Sequence, residues 1–526
     1  MIKRTGSQER QPFALSGLLP YLIIIIFGLA LYGRTAFFGF TFLDDSALIL
    51  DNYPVISDLR NVGTVFSSDV FFSEDKSYYR PLLNVSLMLD AALGGAEPTV
   101  FHLTNILLHI IAACLVFLMF LKLGRSRGLS LFLSLLFLVH PVLSQAVAWI
   151  PGRNDVLLAI FVLSAWISFL NFSERPRLST YLGYLFFFWL ALLTKESALF
   201  LPAVVIIYFL WVQPARVNRP DRWLLAIGSV AVAFFWLLMR RFALGQLGGD
   251  SLAAVASLGA NISALLVYIG KILLPVDLKS FPVLEDSRLI YGLIALPVLA
   301  ICLWLSRHKR WPFLLLGVVW FLLFLLPSFI RLSGLPDFLE HRAYLPLIGF
   351  LIVMAEIDFI GAADWNARRA WLAGGAALVL LAGISFWHAG IFRERLAFWE
   401  AAAAGSPHSP LVQRNLGAMY YLQGEPSKAE EHYRLALDLN PREEMAHNNI
   451  GVIYLDQKKY EEAAAEFRQE LEVNPGYDRA LFNLGESYFR RGQTDEARRF
   501  WQAALSANPY NQEAYRRLLN RENPIQ

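Results

Sequence analysis

Residues 15–45 read LSGLLPYLIIIIFGLALYGRTAFFGFTFLDD, an apolar segment that ends in the adjacent carboxylates of Asp44 and Asp45. The apolar part is long enough to cross the hydrocarbon core of a bilayer, which takes about 20 residues of helix. It is long for the core of a secretory signal peptide, and no small-x-small cleavage site follows it. These residues therefore predict an uncleaved first membrane span with an acidic pair just beyond its exit.

Apolar segments of this kind recur as far as Ala389 and then stop. The 526-residue chain is 56% hydrophobic and 17% charged, a composition that argues against an ordinary soluble protein. The net charge of +3 and the scattered basic residues give no indication of nucleic-acid binding. Cys114 and Cys302 both lie in apolar segments, so the predicted fold does not depend on disulfides. We predict about eleven membrane spans, near residues 15–34, 100–121, 129–148, 155–172, 179–194, 197–213, 223–240, 289–306, 312–330, 344–360 and 370–390.

Lysine and arginine residues cluster in every second connection between the predicted spans. Short loops rich in these residues stay on the cytoplasmic side, which places the N-terminus inside and everything after Ala389 outside. Residues 251–275 are apolar enough to cross, but the flanking basic clusters require an even number of crossings. We therefore expect this segment to lie in, or re-enter, the outer interface. The expected location is a bacterial-type inner membrane, or the endoplasmic reticulum membrane if the cell is eukaryotic.

The C-terminal part of the chain repeats with a period of 34 residues. Such a period, with small residues where helices cross and aromatic residues between helix pairs, is typical of tetratricopeptide repeats. The predicted fold is all-α, with a membrane domain over 1–395, a first outer loop at 35–99 and a soluble α-solenoid over 396–526. Repeats are expected at 408–441, 442–475 and 476–509, followed by a capping helix. The recurring positions are Pro407, Pro441, Pro475 and Pro509; Gly417, Gly451 and Gly485; Ala429, Ala463 and Ala497; and Tyr433, Phe467 and Trp501.

Polar residues form clusters at the predicted outer ends of the spans. Such residues are costly beside lipid unless they have partners or a function. Each cluster alone has a structural explanation as a helix cap, an ion pair, a headgroup anchor or a kink before proline. Their convergence on one side of the membrane favours a shared site. The clusters contain Asp44, Asp45, Tyr79, Arg80, His140, Arg153, Asp155, Lys195, Glu196, Arg240, Glu340 and Arg342.

This set of residues suits the transfer of a sugar from a lipid phosphate. Arginine and lysine can neutralise the charge that develops on a leaving polyprenyl phosphate, without a metal ion or a cofactor. A nearby carboxylate can accept the proton of the attacking hydroxyl. We predict that Asp44 or Asp45 is the general base. The candidates for binding the lipid phosphate are Arg80, Arg153, Lys195, Arg240 and Arg342, and those for supporting roles are Tyr79, His140, Asp155, Glu196 and Glu340.

The sequence resembles the transmembrane and tetratricopeptide-repeat O-mannosyltransferases, a family of the GT-C superfamily of membrane glycosyltransferases. The order of the membrane domain and the repeats is also similar. The resemblance implies a GT-C fold, a catalytic pair at Asp44 and Asp45, and mannose transfer from a polyprenyl phosphate to Ser or Thr of a protein. The repeats would present this acceptor or bind other protein partners. The matching motifs are Phe42-Leu43-Asp44-Asp45, Tyr79-Arg80-Pro81-Leu82, Phe101-His102-Leu103-Thr104-Asn105, His140-Pro141, Gly152-Arg153 with Asp155, Thr194-Lys195-Glu196, and Glu340 with Arg342.

The sequence also departs from the family pattern, and two other functions remain open. Gln145 stands where the family leads us to expect glutamate, Asn154 replaces a small residue, and the repeat array is short. An O-antigen or O-oligosaccharide ligase would use a pyrophosphate-linked donor and carry its key residues in a large late loop, whereas here the first outer loop is the longest. A non-enzymatic membrane scaffold would use the repeats alone and leave the polar clusters without a function. We therefore favour an inverting, metal-independent glycosyltransferase.

Overall fold

The computed structural model describes residues 17–73, 78–213, 219–245, 258–259, 261–330 and 338–519. The described residues form helices and turns without a β-strand, which confirms the predicted all-α class. The chain divides into two compact units, Met1–Phe398 and Trp399–Gln526. This division lies close to the boundary expected from the end of the apolar segments.

The first unit is built from apolar helices. Among the described residues, six helical segments are long and apolar enough to cross a membrane, or seven if the bent pair Arg127–Val139 and Pro141–Ala148 counts as one span. The chain is therefore a multi-pass membrane protein, and the number of about eleven spans stays a prediction. The helices are Leu19–Tyr32, Pro81–Gly94, Pro98–Lys122, Arg127–Val139, Ser144–Ala148, Arg153–Glu174, Leu178–Thr194, Leu201–Ile207, Arg219–Leu244, Ala264–Leu273, Ile290–Leu305, Trp311–Leu325, Tyr344–Met354 and Arg368–Ala389.

The loop between the first two long helices, called the first loop below, folds into a compact layer of short helical turns. These turns are Ser46–Leu50, Tyr53–Ile56, Leu59–Asn61 and Val62–Phe66. Their apolar side chains, including Ile49 and Ile56, form a small core with Leu87 of the helix Pro81–Gly94. The buried carboxylate of Asp69 accepts hydrogen bonds from the backbone N–H groups of Phe71 and Tyr78, each at 2.8 Å. The acidic pair directly precedes the first of these turns, Ser46–Leu50.

Proline residues end helices next to the polar clusters. The helix Arg127–Val139 stops before Pro141, where the chain bends by 50° into the short helix that ends at Ala148. Proline removes a backbone donor and clashes with the preceding turn, so a break is expected at this position. Gln145 and Trp149 follow this bend and belong to the contacts described below.

Part of the segment expected to re-enter the interface, residues 251–257 and 260, lies outside the described residues. The described part forms the ten-residue helix Ala264–Leu273, which is shorter than a membrane span. It carries Lys271, whose side chain is buried. The re-entrant arrangement therefore stays a prediction.

The second unit contains three consecutive helix pairs, as the 34-residue period predicts. The pairs are Pro410–Leu422 with Pro426–Leu439, Ala446–Asp456 with Tyr460–Val473, and Asp478–Arg490 with Thr494–Ala507. The shorter helix Gln512–Leu519 follows them, at the position of the expected cap.

The repeated glycines allow the two helices of each pair to approach closely. A Cβ atom added to Gly451 would lie 2.6 Å from the ring of Phe467, and one added to Gly485 would lie 2.6 Å from the ring of Trp501. Gly417 faces the ring of Tyr433 in the same way. The small and the aromatic positions of the repeat therefore belong to one contact.

Candidate active site

The acidic pair follows a turn with an unusual backbone conformation. Phe42 has a φ of 58°, in the left-handed region that bulky residues rarely adopt. Just after it, Oδ2 of Asp45 accepts a hydrogen bond from the backbone N–H of Thr41 at 2.9 Å, and another from the hydroxyl of the same residue. Asp45 is only 1% exposed, whereas Asp44 is partly exposed. The two adjacent carboxylates therefore have different surroundings.

Burial raises the pKa of Asp45 to about 6, although the hydrogen bonds from Thr41 oppose this shift. The indole N–H of Trp149 is buried near this carboxylate and also favours its charged form. Asp45 is thus a buried acid that holds a strained turn. The proximity of Asp45 to Trp149 places the first loop beside the bend that follows Pro141.

We expect the protein to lose stability as the pH rises from about 4 to about 7. The pKa of Asp45 in the folded state is about 6, above its ordinary value of 3.8, so protonated Asp45 stabilises the fold. This contribution, about 2–3 kcal/mol, is fully present below the ordinary pKa and is lost as the pH passes the folded-state pKa. Thermal unfolding of the full-length protein in nanodiscs, measured across this pH range, should show the loss in the wild type and a flatter profile in Asp45→Asn. Equal profiles would contradict the assignment.

Arg80 joins the first loop to two other parts of the bundle. Its Nη2 lies 2.9 Å from Oε1 of Glu196, and its guanidinium lies over the ring of Tyr78. The amide of Asn154, in the orientation that satisfies both of its polar atoms, accepts a hydrogen bond from Nη1 of Arg80 at 3.1 Å and donates one to the carbonyl of Thr194 at 2.9 Å. The asparagine that departs from the family pattern thus has a definite role in positioning Arg80.

Lys195 and Asp155 form a second ion pair beside this one. Nζ of Lys195 lies 2.8 Å and 2.9 Å from the two carboxylate oxygens of Asp155. Nε2 of His341 lies 3.7 Å from Oδ2 of the same carboxylate. The ring of His341 also packs at 5.3 Å from the indole of Trp149, which lies near Asp45. Contacts therefore run without a break from the first loop to Lys195.

Gln145 holds His341 in place. Oε1 of Gln145 accepts a hydrogen bond from the backbone N–H of His341 at 3.0 Å, and Nε2 donates to the carbonyl of Ser280 at 3.0 Å. An amide can donate and accept at once, whereas an ionised glutamate can only accept. This geometry explains why glutamine suits a position at which the resemblance leads us to expect glutamate.

These contacts bring together residues that are far apart in the sequence. We refer to them as the charged cluster. Its members are Asp45, Arg80, Trp149, Asn154, Asp155, Lys195, Glu196 and His341, and Asp44 directly precedes Asp45 in the chain.

Arg342 and Arg240 remain candidates for binding the lipid phosphate because of where they lie in the chain. Arg342 is partly exposed and directly follows His341. Arg240 is partly exposed near the end of the helix Arg219–Leu244. A cavity of about 410 Å³ separates this helix end from Phe66 of the first loop. The predicted supporting residue Tyr79 is buried in the same loop and donates its hydroxyl hydrogen to the carbonyl of Phe66 at 3.1 Å.

Arg153 does not fit its predicted role in binding the lipid phosphate. The side chain is completely buried, with Nη1 at 2.5 Å from Oδ2 of Asp90. Nε donates to Oδ1 of Asn105 at 2.7 Å, and Nη2 donates to the carbonyl of Phe101 at 2.6 Å. Arg153 therefore ties the start of its own helix to two neighbouring helices, and a phosphate could reach it only if these contacts broke.

His140 is also a structural residue in this arrangement rather than part of the charged cluster. Its Nε2 lies 3.0 Å from the carbonyl oxygen of Ile272, and its Nδ1 accepts a hydrogen bond from the backbone N–H of Val142 at 3.3 Å. Both ring nitrogens are used, and the side chain is buried. His140 thus stabilises the break before Pro141, which is the structural explanation considered for it above.

Glu340 is the centre of a second, fully buried polar group, which we call the Glu340 network. Its Oε1 accepts hydrogen bonds from Nζ of Lys271 at 2.7 Å and from the backbone N–H of Lys279 at 2.8 Å. Nε2 of His388 lies 3.6 Å from Oε2, and Nδ1 of His388 lies 2.6 Å from the hydroxyl of Ser144. This network fixes the residue that precedes His341.

The candidate list from the sequence missed Trp149, His341, Lys271 and His388. His341 was visible only as part of the Glu340–Arg342 run. Lys271 is the only charged residue of the apolar helix Ala264–Leu273, and His388 lies near the end of the largely apolar helix Arg368–Ala389. The cost of placing such a residue in a membrane segment was the available signal, because it indicates a buried partner.

The membrane unit and the repeats of this chain are similar to known proteins to different extents. Sequence models described as tetratricopeptide repeat match residues 410–443 and 446–512, which confirms the predicted repeats. The NMR structure of the first TPR domain of the human RPAP3 protein is 26% identical, covering 22% of this chain and 89% of that one with a TM-score of 0.21.

Named relatives are also found, and the match to one of them is long enough to extend beyond the repeats. Protein O-mannosyl-transferase F38B6.6 of Caenorhabditis elegans is 24% identical over 444 residues, which are 80% of this chain and 63% of that protein. Human protein O-mannosyl-transferase TMTC3 is 35% identical over 145 residues, 27% of this chain and 16% of the relative. The match spans less than two thirds of either relative. These similarities confirm the resemblance to the transmembrane and tetratricopeptide-repeat O-mannosyltransferases.

Proposed function

We propose that this protein transfers mannose from a polyprenyl phosphate to a Ser or Thr hydroxyl of an acceptor protein. The observation that carries the proposal is the charged cluster, in which the two oriented cations Arg80 and Lys195 belong to one set of contacts with Asp45, the neighbour of the partly exposed Asp44. The names of the relatives support mannose as the sugar and a protein as the acceptor. The multi-pass membrane unit fits a donor with a lipid tail.

Asp44 is the residue we assign as the general base. Asp45 is buried, and its Oδ2 already accepts two hydrogen bonds from Thr41. A base must reach the proton of the attacking hydroxyl, and Asp44 is the partly exposed member of the pair. Asp45 then acts as a positioning residue that fixes the turn on which Asp44 stands.

Lys195 and Arg80 are the residues we assign to the donor phosphate. Asp155 and Glu196 hold them in place, so their orientation is fixed before the donor binds. The ammonium group of Lys195 has a third N–H donor in addition to the two that contact Asp155, and this donor can bind a phosphate oxygen. Arg342 and Arg240 are further candidates, and Arg153 is not part of this assignment.

In the proposed reaction, the acceptor oxygen attacks the anomeric carbon of mannose while the bond from that carbon to the phosphate oxygen breaks. The acceptor proton passes to Asp44, and polyprenyl phosphate leaves with its added negative charge balanced by Lys195 and Arg80. One displacement inverts the anomeric centre. The scheme uses no metal ion and no cofactor.

The proposal also includes the side of the membrane on which the charged cluster and the repeats lie. With the N-terminus in the cytoplasm, the charged cluster and the repeats lie on the extracytoplasmic side of an inner membrane, or of an endoplasmic reticulum membrane in a eukaryote. Stacked tetratricopeptide repeats provide an extended surface that suits a protein partner. We propose that they bind the acceptor.

Mass spectrometry of glycopeptides from cells with and without the gene tests this function. We expect O-mannosylated Ser and Thr peptides to be lost on deletion and to return with the full-length chain. Transfer by the purified protein from mannosyl-phosphoryl undecaprenol to such a peptide would support the same conclusion. An unchanged set of O-mannosyl peptides, or transfer from a pyrophosphate-linked oligosaccharide only, would overturn it.

A further inference from the structure

The turn that leads into the acidic pair needs support because its backbone is strained. Phe42 has a φ of 58°, and a bulky residue in this left-handed region persists only where its surroundings hold it there. Asp45 supports the turn from one side, since its carboxylate accepts the hydrogen bonds from Thr41. Asp44 lies between Phe42 and Asp45 in the chain. The position of Asp44 therefore also depends on what holds Phe42.

A second support comes from the chain that follows the last long apolar helix, Arg368–Ala389. The guanidinium of Arg395 lies over the ring of Phe42, with its Cζ 5.2 Å from the ring centroid. A cation over an aromatic face is attracted by the ring, and the attraction is stronger where the pair is partly removed from water. Arg395 is half-buried. Its contact with Phe42 therefore restrains the ring of the strained residue.

The backbone of both segments is fixed near this contact. The N–H of Gly39 donates a hydrogen bond to the carbonyl of Arg393 at 2.8 Å. The guanidinium of Arg34 lies over the ring of Phe386, with its Cζ 3.4 Å from the ring centroid, and donates to the carbonyl of the same residue. Arg395 therefore extends from a fixed backbone, and its guanidinium can hold the aromatic ring in one place.

The neighbouring Arg393 differs from Arg395 in what its side chain contacts. The side chain of Arg393 is 64% exposed and pairs with Glu394 at 3.0 Å. Its contact with the first loop is made by the backbone carbonyl, which any residue at this position would supply. Arg393 therefore provides a matched control for Arg395, two residues away in the same segment.

We propose that Arg395 is a positioning residue that holds Phe42 and, through it, the general base Asp44. The inference rests on the proposed function, because it assigns a role in the same reaction. The cations assigned to the donor phosphate, Arg80 and Lys195, are held by their own carboxylate partners. Loss of the Arg395 guanidinium therefore slows the chemical step and leaves donor binding unchanged. A base displaced by about 1 Å can cost up to about 10²-fold in rate.

Arg395→Met tests this role, because it keeps an unbranched side chain and removes the charge. We expect kcat, expressed per donor-binding site, to fall about tenfold, while KM for mannosyl-phosphoryl undecaprenol changes less than about twofold. Arg393→Ala should retain wild-type kinetics. Phe42→Leu removes the ring, so adding Arg395→Met to it should lower kcat no further. A raised KM with unchanged kcat, or additive losses from the two substitutions, would overturn the inference.

Hydrogen exchange separates failure of this role from failure of the function, because it needs no transfer step. In the full-length protein in nanodiscs, we expect the backbone N–H groups of residues 39–45 to exchange about tenfold faster in Arg395→Met than in the wild type. In Arg393→Ala they should exchange at the wild-type rate. Faster exchange in Arg395→Met, if the wild type transfers no mannose, would reject the proposed function and keep the contact between Arg395 and the turn. Unchanged exchange in Arg395→Met would overturn the inference, whatever the activity of that variant.

Discussion

Asp44→Asn is expected to lower kcat for mannose transfer by about 10²–10⁴-fold, with little change in KM for the donor. The amide keeps the size of the side chain but cannot accept the proton of the attacking hydroxyl. Because Asp44 is partly exposed, its replacement should also leave thermal stability close to that of the wild type. The measurement is steady-state transfer from mannosyl-phosphoryl undecaprenol by the purified protein, alongside its unfolding temperature.

Two matched variants make this result specific. Asp51 is an exposed carboxylate of the same loop, so Asp51→Asn should retain transfer and show that a lost loop charge alone has no effect. Asp45→Asn should change the pH dependence of stability and lower kcat less than Asp44→Asn. If Asp44→Asn retained full activity and Asp45→Asn abolished it, the base would be Asp45 and our division of roles would be wrong.

Much of the fold could be predicted because each signal was local. The period that relates Gly417 to Gly451 comes from one helix–helix contact that every repeat reproduces. The first span was predictable from the apolar run before Gly33, since a helix in lipid must satisfy its backbone internally. The number of crossings was harder to predict, because a short apolar helix such as Ala264–Leu273 has the composition of a span without its length.

The site was predictable as a list of residues but not as a set of contacts. The clustering of polar residues at the outer ends of the predicted spans grouped Arg80, Lys195 and Asp155, which the structure brings close together. The same reasoning could not distinguish Arg153, because the asparagine and aspartate that bind it lie on other helices, 48 and 63 residues earlier in the chain. Such long-range partners depend on how the helices pack, which one sequence does not show.

The division of roles within the acidic pair also required the structure. Adjacent residues in a sequence have the same neighbours along the chain, so the sequence treats Asp44 and Asp45 alike. The left-handed turn at Phe42 and the hydrogen bonds from Thr41 place only Asp45 in the interior. Burial then raises its pKa, whereas the partly exposed Asp44 is the carboxylate that a substrate can reach.

The second large effect is expected in the Glu340 network. Lys271→Met should destabilise the protein by about 3–5 kcal/mol, because it leaves the buried carboxylate of Glu340 without its cation. Glu340→Gln should have a similar cost, since it leaves a buried ammonium group facing a neutral amide. The double variant removes both charges, and we expect it to recover most of the lost stability. Thermal unfolding of the four full-length proteins in nanodiscs gives the coupling between the two residues.

An exposed ion pair provides the comparison for this double-mutant cycle of Lys271 and Glu340. Arg60 and Asp58 form a salt bridge in the first loop, with side-chain exposures of 90% and 35%. Water screens such a pair, so Asp58→Asn should leave the unfolding temperature close to that of the wild type. Additive effects of Lys271→Met and Glu340→Gln would show that the network does not act as a unit. Lys271 fixes Glu340, which directly precedes His341, so the network can also position His341 beside Asp155. We would infer this role if the two substitutions were coupled, if both single variants transferred less mannose, and if the double variant regained transfer.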